Sequence, residues 1–206
     1  MAPPGAFYER GILGAHGYIA EHFTSKPEYL VSVSASRAEY GFFTEPVSIV
    51  EKALDQAGTA RSAFDWQPSS AFVLRNDNLG LIALARLEMG DEFDRVYCLG
   101  RRDRPDPTIE FIEQTGGIYV DSRETALSEV PEVHESADFI FETISYPNHA
   151  IDAVSTLGPN GIATFQGIPG DAMFEIDSGA FHSDLVVNSR RSPFPGGSQV
   201  AYRHAE

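Results

Sequence analysis

The chain of 206 residues has little cysteine, little lysine and no long apolar run. Its one cysteine, Cys98, excludes an internal disulfide and any multi-cysteine zinc site within the chain. Cys98 lies in the apolar run 96–99, which predicts a small buried core residue and not a nucleophile. No apolar run approaches the roughly 20 residues that cross a bilayer. The first residues lack the basic and apolar regions of a signal peptide, so we expect a cytoplasmic protein.

Positive charge is also scarce, because 15 basic residues stand against 30 acidic ones and give a net charge of -15. Only Lys26 and Lys52 are lysines, and the other basic residues are arginines. This balance disfavours nucleic acid and anionic membranes as partners. High negative charge indicates adaptation to a high-salt cell, and an ordinary acidic cytosolic protein is the alternative.

A regular alternation of strands and helices begins near residue 69. The apolar patterns predict strands at 71–74, 95–99, 118–120, 139–142 and 162–165, and helices at 79–87, 108–114 and 149–157. Apolar strands separated by helices are typical of a parallel sheet that is buried on both faces. The sequence therefore predicts a doubly wound α/β fold of the dinucleotide-binding class. Flavodoxin-like and methyltransferase folds share this pattern and stay open at this point.

The segments on either side of this region have a different character. Residues 1 to about 45 show no alternation, although Tyr29–Val33 resembles a strand. A helix is expected to open at Glu45–Pro46 and to stop near Gly58. Residues 188–206 have no periodicity and are predicted to be a disordered tail.

The first strand-to-helix turn is where a dinucleotide-binding fold holds a pyrophosphate, normally with three glycines. Here residues 75–80 read Arg-Asn-Asp-Asn-Leu-Gly, so only the third glycine, Gly80, is present, and it allows close packing of the helix on the strand. Arg75 and Asp77 replace the other glycines, and a carboxylate at position 77 would repel a pyrophosphate. We predict that Asn78, Leu79 and Gly80 contact the cofactor. A helix start with polar capping residues is the alternative interpretation.

The second predicted strand ends in Gly100-Arg101-Arg102-Asp103, about twenty residues after Gly80. An acidic residue at this place binds the free ribose of NAD, whereas arginine suits the 2′-phosphate of NADP. Arg101 and Arg102 therefore predict NADP as the cofactor, with NAD second. An ordinary pair of surface arginines is the alternative.

Several blocks of the chain match one known family. They are residues 7–12 with 14–18, 45–54, 61–74, 97–108 and 179–182. With the stretches between them, the chain up to Val187 resembles the glucose dehydrogenases of salt-loving archaea. That family lies within the zinc-dependent medium-chain dehydrogenase/reductase superfamily. The resemblance implies a Rossmann-like cofactor domain at 51–187, preceded at 1–50 by a remnant of a GroES-like catalytic domain.

The resemblance also implies an activity and a set of roles. Members oxidise D-glucose at C1 to gluconolactone and pass hydride to NADP or NAD, with a zinc ion as Lewis acid. Glu9 matches a residue that binds the sugar, and Glu45 matches a residue at the sugar and zinc site. Arg101 and Arg102 match the pair that binds the 2′-phosphate. Gly167 and Ile168 match a loop beside the nicotinamide.

The chain also departs from the family pattern. It begins inside that pattern, so we expect the other zinc ligands to be absent, and its histidines show no ligand spacing that replaces them. Ile144-Ser145 stands where the family has Thr-Gly. After Val187 the pattern fades, which a frameshift would explain. Two hypotheses remain beside an impaired glucose dehydrogenase. One is a non-catalytic remnant, and the other is an NADP-binding module whose partner supplies the catalytic half. A homo-oligomer also stays open.

Overall fold

The computed structural model describes residues 9–10, 14–27, 30–62, 67–130, 134, 136–144, 147–166, 185–188 and 199–203. Four α-helices are present in these residues: α1 (Thr44–Arg61), α2 (Asn78–Glu88), α3 (Pro107–Thr115) and α4 (Pro147–Thr156). The strands there are β1 (Glu9–Arg10), β2 (Gly14–Ala15), β3 (Ser70–Leu74), β4 (Arg95–Gly100), β5 (Ile118–Asp121), β6 (Ala137–Glu142), β7 (Leu157–Phe165), β8 (Leu185–Asn188) and β9 (Gln199–Arg203).

Seven strands form one sheet in the order β5-β4-β3-β6-β7-β9-β8. Strands β3 to β7 are parallel to one another, and β9 adds to β7 in the antiparallel direction. The chain moves outward from β3 through β4 to β5, then returns to place β6 on the other side of β3. This reversal creates a crevice at the carboxyl ends of β3 and β6, the place where doubly wound folds bind ligands. The predicted fold class is confirmed.

Alternate residues of each parallel strand supply two separate cores. On one face, Val73 and Cys98 pack with buried residues of α1, α2 and α3. On the other face, Leu74 and Leu99 pack with α4 and with the short 3₁₀ helix at Leu127–Glu129. Every residue of β3 is buried, as expected for the central strand of a sheet covered on both faces.

The helix predicted at Glu45–Pro46 exists, but both of its expected ends were wrong. It begins at Thr44, directly after a 3₁₀ helix over Ala35–Phe43, and it continues through Gly58 to Arg61. Nothing lies within 4 Å of the place that a Cβ would take at Gly58. Glycine lowers helix stability by about 1 kcal/mol, which does not end a helix that buries Val50, Ala53 and Ala57 in the core.

The strand predicted at Tyr29–Val33 was also wrong for its described residues 30–33, which have no strand partner. Leu30 and Val31 are 55% and 78% exposed, so their apolar character does not indicate burial in a sheet. The predicted helix at 149–157 ends one residue earlier, because Leu157 begins β7. No helix in the described ranges is long and apolar enough to cross a membrane.

The segment 188–206, predicted to be a disordered tail, contains β9, which pairs with both β7 and β8. The prediction was therefore wrong for residues 199–203, because edge pairing with a long strand supplies order that the short local pattern does not signal. The proposed division between residues 50 and 51 falls within α1. The domain boundaries stay a prediction.

Candidate cofactor site

The turn after β3 brings helix α2 unusually close to the end of the strand. Arg75 has a φ of 96°, a left-handed conformation that glycine adopts without strain. A Cβ at Gly80 would lie 2.0 Å from the carbonyl oxygen of Arg75. Only glycine allows this approach, which agrees with the packing role predicted for Gly80. Arg75 holds the conformation of the missing first glycine while it carries a long cationic side chain.

Asp77 is the N-cap of α2. Its Oδ1 accepts a hydrogen bond from the Gly80 backbone N–H at 2.9 Å. The Arg75 Nε lies 3.5 Å from the other carboxylate oxygen of Asp77. A helix N-terminus attracts anions because its first N–H groups have no partner within the helix. At α2 the chain's own carboxylate already takes that place, so the capping interpretation of this turn describes its geometry well.

The end of β6 closes the other side of the same crevice. Thr143 is buried, and its hydroxyl donates to the Leu74 carbonyl oxygen at 3.0 Å. The same Oγ1 lies 3.3 Å from Oδ2 of Asp77. Thr143 directly precedes Ile144, where the sequence departs from the family's Thr-Gly pair. The crevice between β3 and β6 is thus bordered by a hydroxyl and a carboxylate that face each other.

A close contact at Gly100 joins the turn after β3 to the turn after β4. A Cβ at Gly100 would lie 2.6 Å from Oδ1 of Asn76 and 2.7 Å from Cε2 of Tyr119. Asn76 is buried, and its Nδ2 donates to the Thr108 hydroxyl at 2.6 Å. The first turn, the second turn and the start of α3 therefore form one connected unit.

Arg101 and Arg102 follow β4 and are exposed. Neither side chain forms an ion pair with another described residue. The backbone of Arg102 is held firmly, since its N–H donates to Tyr119 Oη at 2.8 Å and its carbonyl accepts from that hydroxyl at 3.2 Å. The guanidinium groups of Arg101 and Arg102 thus project from a fixed loop at the carboxyl edge of the sheet. We call residues 101–103 the arginine loop.

Arg123, just beyond β5, ties this loop to the neighbouring strand. Its Nη2 lies 2.8 Å from Oδ1 of Asp103 and 2.5 Å from Oδ2 of Asp121. The same nitrogen lies 3.3 Å from the Arg102 carbonyl oxygen. The guanidinium and the backbone N–H of Arg123 lower the pKa of Asp121 to about 2. Asp121 is therefore ionised, and both Asp103 and Asp121 pair with the Arg123 guanidinium.

A cavity of about 360 Å³ opens between the loop and β5. Three of its lining residues are cations and three are anions: Arg102, Arg104, Arg123, Asp103, Asp121 and Glu124. One of these cations is already engaged, because Arg104 Nη2 lies 2.5 Å from Oε1 of Glu113 on α3. The lining is close to neutral, and Arg102 is the cation without a fixed carboxylate partner among the described residues.

A larger cavity, of about 620 Å³, lies beside the second half of α1. Glu51, Asp55 and Glu92 give it an acidic lining, and its cations Arg61 and Arg86 stand on helices. It is not at the carboxyl ends of the parallel strands, where doubly wound folds bind nucleotides. Size alone therefore does not identify the site, and the chemistry favours the smaller cavity beside the arginine loop.

Cys98 is fully buried within β4, and burial raises the pKa of its thiol to about 12. The prediction of a core residue is confirmed. A thiol with such a pKa is protonated at neutral pH and therefore a poor nucleophile.

The residues implied for sugar and zinc do not meet in the described structure. Glu45 lies in the first turn of α1 and is exposed, and Glu9 lies in β1, with only its backbone described. Gly167 and Ile168 lie outside the described residues. In the part of the chain that is described, no three His, Cys, Asp or Glu side chains come together as metal ligands. The described residues alone therefore do not form a complete zinc site.

Sequence reasoning missed three residues of this site: Thr143, Tyr119 and Arg123. Thr143 lies just beyond β6 and Arg123 just beyond β5, whereas Tyr119 is the second residue of β5. For Thr143 and Arg123, the position after a strand was a signal. Their partners depend on strand order, and the sequence pattern alone left that order open.

Comparisons with known proteins agree with this architecture. A family model described as the C-terminus of glucose dehydrogenase matches residues 38–191. The chain is 64% identical over 204 residues to "Glucose 1-dehydrogenase 2" of Haloterrigena turkmenica, and 54% identical over 191 residues to the glucose 1-dehydrogenase of Haloferax mediterranei. The matches cover 94% and 92% of this chain but 57% and 54% of those relatives. The chain therefore spans about half the length of the curated relatives it matches.

A solved structure, Haloferax mediterranei glucose dehydrogenase in complex with NADP, Zn and gluconolactone, matches at a TM-score of 0.82 and 56% identity. The match covers 87% of this chain and 51% of that one. A more distant dehydrogenase from Escherichia coli, solved with NADH, matches at a TM-score of 0.66 and 16% identity, which supports the fold alone. The resemblance to the glucose dehydrogenases of salt-loving archaea is confirmed.

Proposed function

Since the chain belongs to the family of the glucose dehydrogenase C-terminus, we propose that it forms the cofactor-binding part of an NADP-dependent glucose 1-dehydrogenase. NAD is the second cofactor in this proposal. The observation that carries it is the exposed Arg101–Arg102 pair on a fixed loop at the carboxyl end of β4. Its position next to the crevice of the sheet supports a nucleotide ligand over a role in solubility.

The preference for NADP follows from the charge of this loop. A 2′-phosphate carries negative charge that two guanidinium groups can bind through charge-assisted hydrogen bonds. A free ribose hydroxyl offers no comparable interaction, so NAD loses this contribution. The first turn adds little, because Asp77 already occupies the N-terminus of α2. Asn78, Leu79 and Gly80 would contact the pyrophosphate part through the start of that helix.

The remaining roles come from the family relationship. NADP, when bound, would supply the hydride acceptor; C1 of the sugar would lose a hydride and its hydroxyl a proton, which gives the lactone. Gly167 and Ile168 would line the nicotinamide part, and Glu9 and Glu45 would lie on the sugar side. Glu45 is also the one zinc ligand that we propose for this chain. Among the described residues, no group of three possible metal ligands is present to complete such a site. Catalysis would therefore depend on residues outside them.

A second candidate function is an NADP-binding module without catalysis of its own. The scarcity of metal ligands near Glu45 and the carboxylate at the pyrophosphate turn favour it. The two candidates agree on cofactor binding and differ on turnover.

Two measurements on the purified chain in molar KCl test this proposal. Calorimetric titration with NADP and NAD should give binding with a preference for NADP. Glucose-dependent reduction of NADP, followed at the nicotinamide absorbance with added zinc, then separates the candidates. Turnover establishes the dehydrogenase, and binding without turnover in folded protein establishes the module. If neither cofactor binds to folded protein, both candidates are wrong.

A further inference from the structure

We propose that Arg123 is a positioning residue that sets the preference for a 2′-phosphate, by holding the Arg101–Arg102 loop and compensating part of the negative charge of Asp103 and Asp121. This inference rests on the proposed function, because it assumes that the loop binds the ribose end of a dinucleotide. Arg123 lies outside the arginine pair, 21 residues after Arg102 along the chain. It would act through its contacts with the loop and would not need to touch the cofactor.

The Arg123 side chain contacts both the arginine loop and the end of β5. The Arg123 side chain reaches both Asp103 within the loop and Asp121 at the end of β5, at 2.8 Å and 2.5 Å. Its Nη2 also lies 3.3 Å from the Arg102 carbonyl oxygen, which Tyr119 contacts from its own side. One guanidinium therefore links the arginine loop to the neighbouring strand. Without it, the Arg102 backbone would keep the Tyr119 contacts, and the next hold on the chain would be the Arg104–Glu113 ion pair.

The charges of Asp103 and Asp121 also give Arg123 a role. In dinucleotide-binding folds, an acidic residue near the end of the second parallel strand, here β4, normally accepts hydrogen bonds from a free ribose and disfavours a 2′-phosphate. This chain has two carboxylates near that place, Asp103 after β4 and Asp121 at the end of β5. It also presents two free arginines, Arg101 and Arg102. Arg123 pairs with both carboxylates and offsets part of that conflict. Because Arg104 is engaged by Glu113, loss of Arg123 would leave the cavity lining with an excess of negative charge.

The expected effect is a change in cofactor preference. Two uncompensated carboxylates near an exposed phosphate give a repulsion that corresponds to roughly tenfold in binding. NAD has no 2′-phosphate, so its affinity should stay unchanged or improve slightly. The ratio of the two dissociation constants therefore reports the role of Arg123 independently of turnover.

The test compares Arg123→Met with the unaltered chain by calorimetric titration of NADP and NAD in KCl. Arg86→Met is the matched control, because Arg86 forms an ion pair with Glu51 and has a similar side-chain exposure, 34% against 36% for Arg123. We expect Arg123→Met to lower the NADP preference about tenfold and Arg86→Met to leave it unchanged. Arg123→Lys, which restores one charge without the planar fork, should recover part of the preference.

A double variant separates electrostatics from simple loss of structure. In Arg123→Met with Asp103→Asn, one of the released carboxylates is gone, so the NADP preference should return in part. Circular dichroism would confirm that each variant is folded. An unchanged preference in folded Arg123→Met overturns the role of Arg123 while leaving the proposed function intact. If the unaltered chain binds neither cofactor, the proposed function fails and this assignment fails with it.

Discussion

The turns after β3 and β4 lie side by side at one edge of the sheet, yet they treat negative charge in opposite ways. The first turn fills its own helix N-terminus with the Asp77 carboxylate. At the second turn, Asp103 and the neighbouring Asp121 of β5 pair with Arg123, and Arg101 and Arg102 stay exposed. The comparison indicates that recognition of a dinucleotide is concentrated at the ribose end, while the pyrophosphate end contributes little.

The two turns are not independent, because Asn76 of the first packs against Gly100 of the second. A variant that alters charge at one turn should leave this contact intact, whereas a variant that adds volume should disturb both turns. Charge changes and volume changes therefore probe the comparison in different ways, through binding in one case and stability in the other.

The largest expected effect is on the arginine loop. Replacing both Arg101 and Arg102 by alanine removes the charge-assisted hydrogen bonds available to a 2′-phosphate, each worth about 1.5–3 kcal/mol. NADP binding should weaken roughly 100-fold, and NAD binding should change little. Calorimetric titration measures both. Arg86→Met, on the far part of α2, serves as the control, and an equal loss for both cofactors would contradict a specific role at the ribose end.

The next effect is on stability at the first turn. A Cβ at Gly80 would lie 2.0 Å from a backbone oxygen, so Gly80→Ala must push α2 away from β3. We expect the free energy of unfolding to fall by about 1–3 kcal/mol, as for other overpacked sites. Gly58→Ala is the matched control, because Gly58 also lies within a helix but has open space around it. That change should stabilise the chain by about 0.4–1 kcal/mol. Chemical unfolding in KCl measures both, and equal effects at the two glycines would contradict the close approach.

The strands and helices of the α/β region were predictable from the sequence because their apolar patterns are local. The prediction of β3 differed from the structure by one residue, and the helix predicted at 79–87 differed by one at each end. The packing role of Gly80 and the burial of Cys98 followed from the same patterns. Local propensity is enough where a segment is buried on the faces that its own pattern indicates.

Features that depend on distant partners could not be predicted in this way. Residues 30–33 have the composition of a strand but no strand partner among the described residues, whereas β9 pairs with β7. Arg123 is one of several surface arginines until the order of β4 and β5 places it beside Asp103. Asp77 is predictable as a cap from its position, but its contact with Thr143 requires β6 to lie next to β3.

A smaller effect is expected from removing the charge at Asp77. Asn is as good an N-cap as Asp, so Asp77→Asn keeps the hydrogen bond to the Gly80 N–H while it removes the carboxylate. The lost repulsion, about 1 kcal/mol at this partly exposed position, should tighten the binding of NADP and NAD alike by roughly fivefold. The ratio of the two dissociation constants should stay the same, in contrast to the arginine variants. Calorimetry with both cofactors measures this, and tighter binding of only one of them would place Asp77 at the ribose end.

The smallest effect concerns the acid stability of the second turn. Hydrogen bonds from Arg123 lower the pKa of Asp121 to about 2 from its ordinary value of 3.8. A lowered pKa means that the pair stabilises the fold fully above the ordinary value and loses its effect as the pH falls through the lowered one. The difference in unfolding free energy between the unaltered chain and Arg123→Met should therefore be constant above about pH 4 and shrink toward pH 2.

Unfolding midpoints over a pH series at fixed KCl would measure this difference. Asp121→Asn provides the reference, because Arg123→Met made in that background should lose most of its pH dependence between those limits. A difference that keeps its size down to pH 2 would mean that Arg123 stabilises the turn through its contacts with the Arg102 carbonyl and Asp103. In that case the ionisation of Asp121 would not be linked to folding. The compensation of carboxylate charge by Arg123 would then rest on Asp103 alone.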